Sequence, residues 1–283
     1  MKARLVVLVP LVSIILAACS SGDASPSTSV VPSTAASAGA SSSASAAAVD
    51  LTIYGAASLK GALDKAKAAY EAGNPGTTLT ISTDSSATLE TQIEQGAPAD
   101  VFLSADQTNP KKLVDKGLAD GAAVTFATNK LTVVVPAADP AGITTPADLA
   151  KAGVKVIAAG DAVPITKYAT QLVGNLAKQP GYPANFVTAY AANVVSKEDN
   201  VKALIAKIEL GEGDAGIVYV TDAKASTKVK TIDVSDAANV PATYFGVVVK
   251  ASKNAVAAKA FLDWLAGPSG QAILAGLGFL PPS

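Results

Sequence analysis

The sequence predicts an α/β protein with mainly parallel sheets, on three observations. Strand-like and helix-like stretches alternate from residue 49 almost to the C-terminus. Val101-Phe-Leu103 is continuously apolar and Leu131 to Val135 is apolar but for Thr132, as strands covered on both faces are. The turns that lead from strands into helices are rich in Ser, Ala, Gly and Asn, which suit helix starts.

Taken in order, Leu51 to Ile53 reads as the first strand and Gly55-Ala56-Ala57 as a turn of small residues that leaves room for an approaching group. Ser58 is placed to N-cap a helix marked by Leu59, Ala62, Leu63, Ala66 and Tyr70. Thr77 to Ser82 is a strand, Ser85-Ser86-Ala87 a turn, and Thr88 to Gln95 a helix closed by Gly96. Val101 to Leu103 follows, then a helix around Lys111 to Lys116 that stops at Gly117. Leu131 to Val135 is a strand ended by Pro136, and Pro146 after Thr145 opens a helix. Val154 to Ala158 leads through Gly160 to Thr166 into a helix from Lys167 to Ala177. A Pro- and Tyr-containing loop crosses to Phe186-Val-Thr188. Asp199-Asn200 caps a helix from Val201 to Glu209, followed by strands at Ala215–Tyr219, Val229–Val234 and Tyr244–Val249. Helices from Ala255 to Leu265 and Ser269 to Leu277 close the chain.

The N-terminus has another character. Lys2 and Arg4 precede an apolar run from Leu5 to Ala18, which ends in Leu16-Ala-Ala-Cys19. That order reads as an export signal, and Leu-Ala-Ala-Cys-Ser resembles the lipobox of bacterial lipoproteins, in which the cysteine is acylated. The resemblance implies a signal peptide over residues 1–19 and lipidation at Cys19. Cys19 is the single cysteine, so no internal disulfide exists. Residues 20–48 are nearly all Ser, Ala, Thr, Pro, Val and Gly and read as a disordered tether. Its root-mean-square reach is roughly 30 Å.

Charge excludes several functions. Lys2 and Arg4 fall in the leader, which leaves 20 basic against 23 acidic residues, a net charge near −3 that argues against nucleic acid. The chain has no histidine, and its one arginine and one cysteine lie within the first 19 residues. The rest therefore holds no Arg clamp, His base or Cys nucleophile. Gly211-Glu-Gly-Asp-Ala-Gly216 matches a dinucleotide fingerprint in letters alone, since it follows a helix and precedes a strand.

Four loop-to-helix junctions carry the chemistry: Ala57-Ser58, Ser85-Ser86, Pro164-Ile165 and Asn200-Val201. Each offers unpaired backbone N–H groups and the positive end of a helix dipole. Ligands in open α/β sheets sit beyond the carboxyl ends of strands, so two facing lobes would converge these ends on one small anion. Tyr219, closing Gly216-Ile-Val-Tyr, adds a phenol that is either a donor or a core side chain. Asp84, Asp161 and Asp199 stand near three junctions, as turn and capping acids or as acceptors for a protonated anion.

The body resembles the molybdate-binding proteins of bacterial ABC importers. The matching residues are Tyr54-Gly-Ala-Ala-Ser-Leu59, the block from Ser85 to Asp106, Gly160-Asp161, Val163-Pro164 with Tyr168-Ala169, Asn200-Val201, Gly216 to Tyr219 with Thr221-Asp-Ala223, and Gly278-Phe279. The resemblance implies a two-lobed, type II periplasmic-binding-protein fold with a ligand cleft between lobes. Lobe 1 would span residues 49–128, lobe 2 residues 129–245, and residues 246–283 would return to lobe 1. Crossings are expected near Ala127–Lys130 and Ala242–Phe245.

It also implies a site in which Ser58 and Ser86 give hydroxyl and main-chain donors, Ile165 and Val201 main-chain donors, and Tyr219 its phenol. The ligand would be molybdate or tungstate, with no cofactor, no free metal cation and no catalysis. Two departures stand out: Ala87 where the family often has a third serine, and the bulk of Ile165 where a smaller residue is common. The implied protein is a monomer, lipid-anchored on the extracytoplasmic face, that hands its anion to a permease. Alternatives are a sulfate or phosphate binder, or an exported enzyme on the same fold.

Overall fold

A computed structural model describes residues 48–282. Cys19, the signal segment and most of the tether lie outside the described residues.

The first half of the body builds one sheet and its helices. Strand β1 (Val49–Ala56) passes through a 3-10 turn (Ala57–Leu59) into α1 (Lys60–Gly73). Then follow β2 (Thr77–Asp84), α2 (Ser86–Glu94), β3 (Val101–Ser104), α3 (Thr108–Asp115) and β4 (Ala119–Asn129). Lys130 alone separates β4 from β5 (Leu131–Pro136), the first strand of a second sheet. A 3-10 turn (Pro146–Ala150), β6 (Val156–Ala159), α4 (Pro164–Leu176), α5 (Phe186–Ala192), β7 (Val194–Glu198), α6 (Val201–Glu209), β8 (Ala215–Tyr219), α7 (Val220–Lys224) and β9 (Val229–Ile232) complete that half. The chain rejoins the first sheet with β10 (Ala242–Val249) and ends in α8 (Ala255–Ala266) and α9 (Pro268–Gly276).

The sheet orders are β2-β1-β3-β10-β4 and β7-β6-β8-β5-β9. The two-lobed α/β plan is therefore present, with the same strand arrangement in each lobe. Parallel pairing holds for the first three strands of each order, β2-β1-β3 and β7-β6-β8. The other two strands of each sheet pair antiparallel, so the sheets are mixed. The reason is connectivity. β10 and β5 arrive directly from the other lobe, without the helical crossover that a parallel neighbour requires.

The parallel strands aim their carboxyl ends at the cleft, and helices start there. Two glycines set how closely those helices seat. A Cβ on Gly55 would lie 2.3 Å from Leu63 Cδ1, so this glycine lets α1 pack against β1. Its sequence reading as clearance for an approaching group gives way to that packing role. A Cβ on Gly216 would lie 2.7 Å from Leu204 Cδ2 and 3.0 Å from the Ile157 carbonyl oxygen, so α6 can rest on the second sheet. Phe186 opens α5, and its ring packs edge-on against Tyr182 with centroids 4.8 Å apart.

The first crossing is tied at both sides. Asn129 Nδ2 donates to Thr221 Oγ1 at 2.8 Å, and Val220 N–H donates to the Lys130 carbonyl at 2.9 Å. Asn239 holds Leu131 through both amide groups, accepting from its N–H at 3.0 Å and donating to its carbonyl at 2.8 Å. No helix among the described residues is long and apolar enough to cross a membrane.

Candidate functional site

All five residues singled out as an anion site, Ser58, Ser86, Ile165, Val201 and Tyr219, line one cavity between the lobes. Ala56, Ala57, Ser85, Ala105, Val163, Pro164 and Asn200 complete the wall, which contains no charged side chain. About 10 Å³ is open to the centre of a water-sized sphere, about what one water needs. A tetrahedral oxyanion is larger, so its entry requires the walls to part.

Four helical starts meet here. Ser58 lies inside the 3-10 turn ahead of α1 and makes no capping bond, contrary to its reading as an N-cap. Its Oγ instead shares a 2.9 Å hydrogen bond with the Tyr244 hydroxyl, which the tertiary fold brings from 186 residues away. If Tyr244 donates, the Ser58 proton is free to point at a ligand.

At the second start, Ser85 is the N-cap of α2 by position, but its hydroxyl makes no capping bond. Ser86 Oγ accepts from Ala105 N–H at 3.1 Å, which keeps its own proton available. Ala105 is held in turn by the loop after β3. Asp106 Oδ1 accepts from Ser104 Oγ at 2.9 Å, Asn109 Nδ2 at 2.9 Å and Asn109 N–H at 3.2 Å. This network gives the Ser-Ala-Asp106 end of the long motif a structural role.

The third and fourth starts come from the second lobe. Pro164 and Ile165 are the first two residues of α4. The Asn200 side chain caps α6 by accepting from Lys202 and Ala203 N–H, both at 3.0 Å. The first-turn amides of Ile165 and Val201 are among those a helix leaves without an internal partner. Asn200 as a cap agrees with the sequence reading.

Tyr219 is 1% exposed, and its hydroxyl has no hydrogen-bond partner. It sits between Tyr168 and Tyr244, with ring centroids 6.4 and 5.8 Å away. Burial, reinforced by the neighbouring phenols and acids, raises its pKa well above the usual tyrosine value, so at neutral pH the phenol keeps its proton. Burial pushes Tyr168 to about 12. Ser85 Oγ is the other buried hydroxyl of the wall without a partner. A buried unsatisfied hydroxyl costs about 1–3 kcal/mol, and two on residues that line one cavity mark a place suited to acceptors.

Ser85 as a hydroxyl and Tyr244 as the partner of Ser58 were not picked out from the sequence. The doubled serine was the available signal for the first, and nothing local signals the second. None of the acids weighed as acceptors lines the cavity. Asp84 Oδ1 accepts from Ser85 N–H at 2.7 Å, and Asp161 pairs with Lys197 at 2.6 Å on the exterior.

Behind Tyr219, Asp222 is fully buried, with Lys202 Nζ 2.7 Å from its Oδ1 at angles short of a hydrogen bond. Burial raises the Asp222 pKa and Lys202 opposes the rise. A larger, mainly apolar cavity of about 240 Å³ lies beneath α4 and α5 and shares Ile165 with the first. The smaller cavity is the candidate site because both Tyr219 and Ser85, whose hydroxyls lack partners, line it. No cluster of metal-ligating side chains occurs among the described residues.

The profile of the family described as bacterial extracellular solute-binding protein matches residues 51–280. The molybdate-binding protein ModA of Mycobacterium tuberculosis is 33% identical over 233 residues, covering 82% of this chain and 85% of the relative. A Bacillus subtilis protein, YvgL, whose name assigns it to ABC transporter substrate-binding lipoproteins, is 31% identical over 233 residues and covers 82% of this chain and 86% of its own. Among solved structures, a substrate-binding domain assigned to a molybdenum ABC transporter of Clostridium difficile superposes with a TM-score of 0.63. It has 32% identity and covers 83% of this chain and all of that one.

Proposed function

The chain belongs to the bacterial extracellular solute-binding protein family, and we propose that it captures molybdate, and tungstate equally, outside the cytoplasm and delivers the anion to an ABC importer. One observation carries the reading. The Tyr219 hydroxyl is buried without a partner in a neutral cavity where four helical starts converge.

Ser58, Ser86 and Tyr219 donate hydroxyl protons, and Ser58, Ser86, Ile165 and Val201 donate main-chain N–H groups. Each hydrogen bond to a charged acceptor contributes about 1.5–3 kcal/mol, and each helix end about 0.3–1 kcal/mol. A dianion can therefore be held without a counter-charge. The same donors select against a protonated anion, because a proton on the ligand would face another proton and the wall has no carboxylate to receive it. Sulfate is smaller than molybdate and leaves donors unpaired.

Titration calorimetry tests this. Molybdate and tungstate should bind alike, sulfate more weakly and phosphate weakest. Phosphate binding tighter than molybdate would falsify the assignment.

The anchor is part of the same proposal. Leu16-Ala-Ala-Cys19 and the Ser/Ala-rich stretch support acylation at Cys19, which would leave a monomeric body on a leash. Cys19→Ser should abolish membrane retention or processing in cell fractionation. A variant processed and retained like the wild type defeats the anchor and leaves the anion site untouched.

A further inference from the structure

We propose that Asp84 and Asn200 form a latch across the cleft that holds the two lobes closed on the anion; this rests on the solute-binding reading above. Asp84 ends β2 in the first lobe, and Asn200 caps α6 in the second. Asn200 Nδ2 donates to Asp84 Oδ1 at 2.9 Å, between residues 116 apart in sequence.

Each side chain also does local work beside the cavity. Asp84 Oδ1 accepts from Ser85 N–H at 2.7 Å, and Asn200 Oδ1 accepts from Lys202 and Ala203 N–H at 3.0 Å. One hydrogen-bonded chain therefore runs from the first turn of α6, through Asn200 and Asp84, to Ser85 at the N-cap position of α2. Those are two of the four starts that line the cavity. Here an amide caps with its oxygen and donates with its nitrogen, and a side-chain oxygen of Asp84 accepts twice.

The setting favours the latch. The bond is charge-assisted and half-buried, and so stronger than a neutral bond in water. By contrast, a side-chain bond from α4 of the second lobe to α3 of the first, Lys167 Nζ to Thr108 Oγ1, is exposed and 3.3 Å long. α6 also packs against the 3-10 turn that carries Ser58, so closing the latch seats one anion-binding element on another. A contact made only when the lobes meet shifts the open–closed equilibrium by its own free energy and acts mainly on release.

The carboxylate makes the proposal decidable by sign. If Asp84 acted on the anion only through its charge, removing it would tighten binding of a dianion. As a latch, its removal must speed release. Asp84→Ala and Asn200→Ser, which keeps a good N-cap but is too short to reach across, should each release molybdate about tenfold faster in stopped-flow measurements on the full chain. Association should change little. Asp84→Asn keeps an acceptor and should stay within about threefold of wild type.

Ligand-free small-angle scattering gives an independent readout: Asp84→Ala and Asn200→Ser should have a larger radius of gyration than wild type. Unchanged or slower release from Asp84→Ala, or Asp84→Asn releasing as fast as Asp84→Ala, overturns the latch while wild-type binding stands. A wild type that binds no molybdate defeats the functional reading, and the scattering comparison then decides the latch alone. Equal radii in that case overturn it.

Discussion

The two lobes share one strand arrangement and offer the cavity different chemistry. The first lobe presents hydroxyl side chains, Ser58, Ser85 and Ser86, on turns of otherwise small residues. The second presents backbone amides under apolar side chains, Ile165 and Val201, and a single hydroxyl, Tyr219. Equal topology places helix starts at the mouth of each sheet, because both run their parallel strands toward the cleft. It does not decide whether a donor belongs to the side chain or to the main chain. Substitution should therefore injure the lobes by different rules: any loss of a hydroxyl matters in the first, whereas in the second only a change to the backbone does at Ile165 and Val201.

The largest effect is expected at Val201. Proline is tolerated at the first position of a helix, and Asn200 before it is already extended at φ −157°, ψ 171°. Val201→Pro should therefore fold. It removes the N–H and puts a ring carbon where the anion's oxygen would sit, so molybdate affinity should fall at least ~100-fold, a single charged hydrogen bond being worth about 1.5–3 kcal/mol. Val201→Ala should bind within a few-fold of wild type. Calorimetry on the pair decides the point, and an alanine variant as weak as the proline one would break the distinction between lobes.

An intermediate effect is expected at Tyr219. Tyr219→Phe deletes the donor and should weaken binding by about 1–3 kcal/mol. It also removes a buried hydroxyl with no partner, so the ligand-free protein should become slightly more stable. Thermal melts with and without molybdate should move in opposite directions relative to wild type. A ligand-free variant clearly less stable than wild type would show that the hydroxyl was satisfied all along.

The smallest effect is expected at Ser58. Its partner, the Tyr244 hydroxyl 2.9 Å away, remains after Ser58→Ala and can turn its proton into the cavity. The loss should stay below about tenfold, near 1 kcal/mol. A loss larger than that of Tyr219→Phe would mean that Tyr244 cannot substitute and that the two lobes contribute hydroxyls on equal terms.

Much of this was legible locally. Strand and helix alternation depends on periodicity, and the helices at α1, α2, α4, α6, α8 and α9 follow their apolar spacing closely. The long strand β4 went unread because Gly121 and the alanines around it dilute any strand signal; it forms because β10 pairs along nearly its whole length. The short helix α7 was missed for the opposite reason. It continues directly from β8 after Tyr219, with no break in the sequence to mark it.

What the sequence determined by itself is the set of helix starts, two of them with small or hydroxyl residues, the capping role of Asn200 and the absence of an arginine clamp. These depend on residues within one turn of each other, where local hydrogen bonding and steric size decide the outcome. What only the tertiary structure decided is every pairing across long separations: Ser58 with Tyr244, Asp84 with Asn200, and the isolation of the Tyr219 hydroxyl among other rings. A side chain's partner is set by where the two sheets and the crossings at Lys130 and before Ala242 bring it. Neither periodicity nor a motif encodes the direction in which a buried hydroxyl is left pointing.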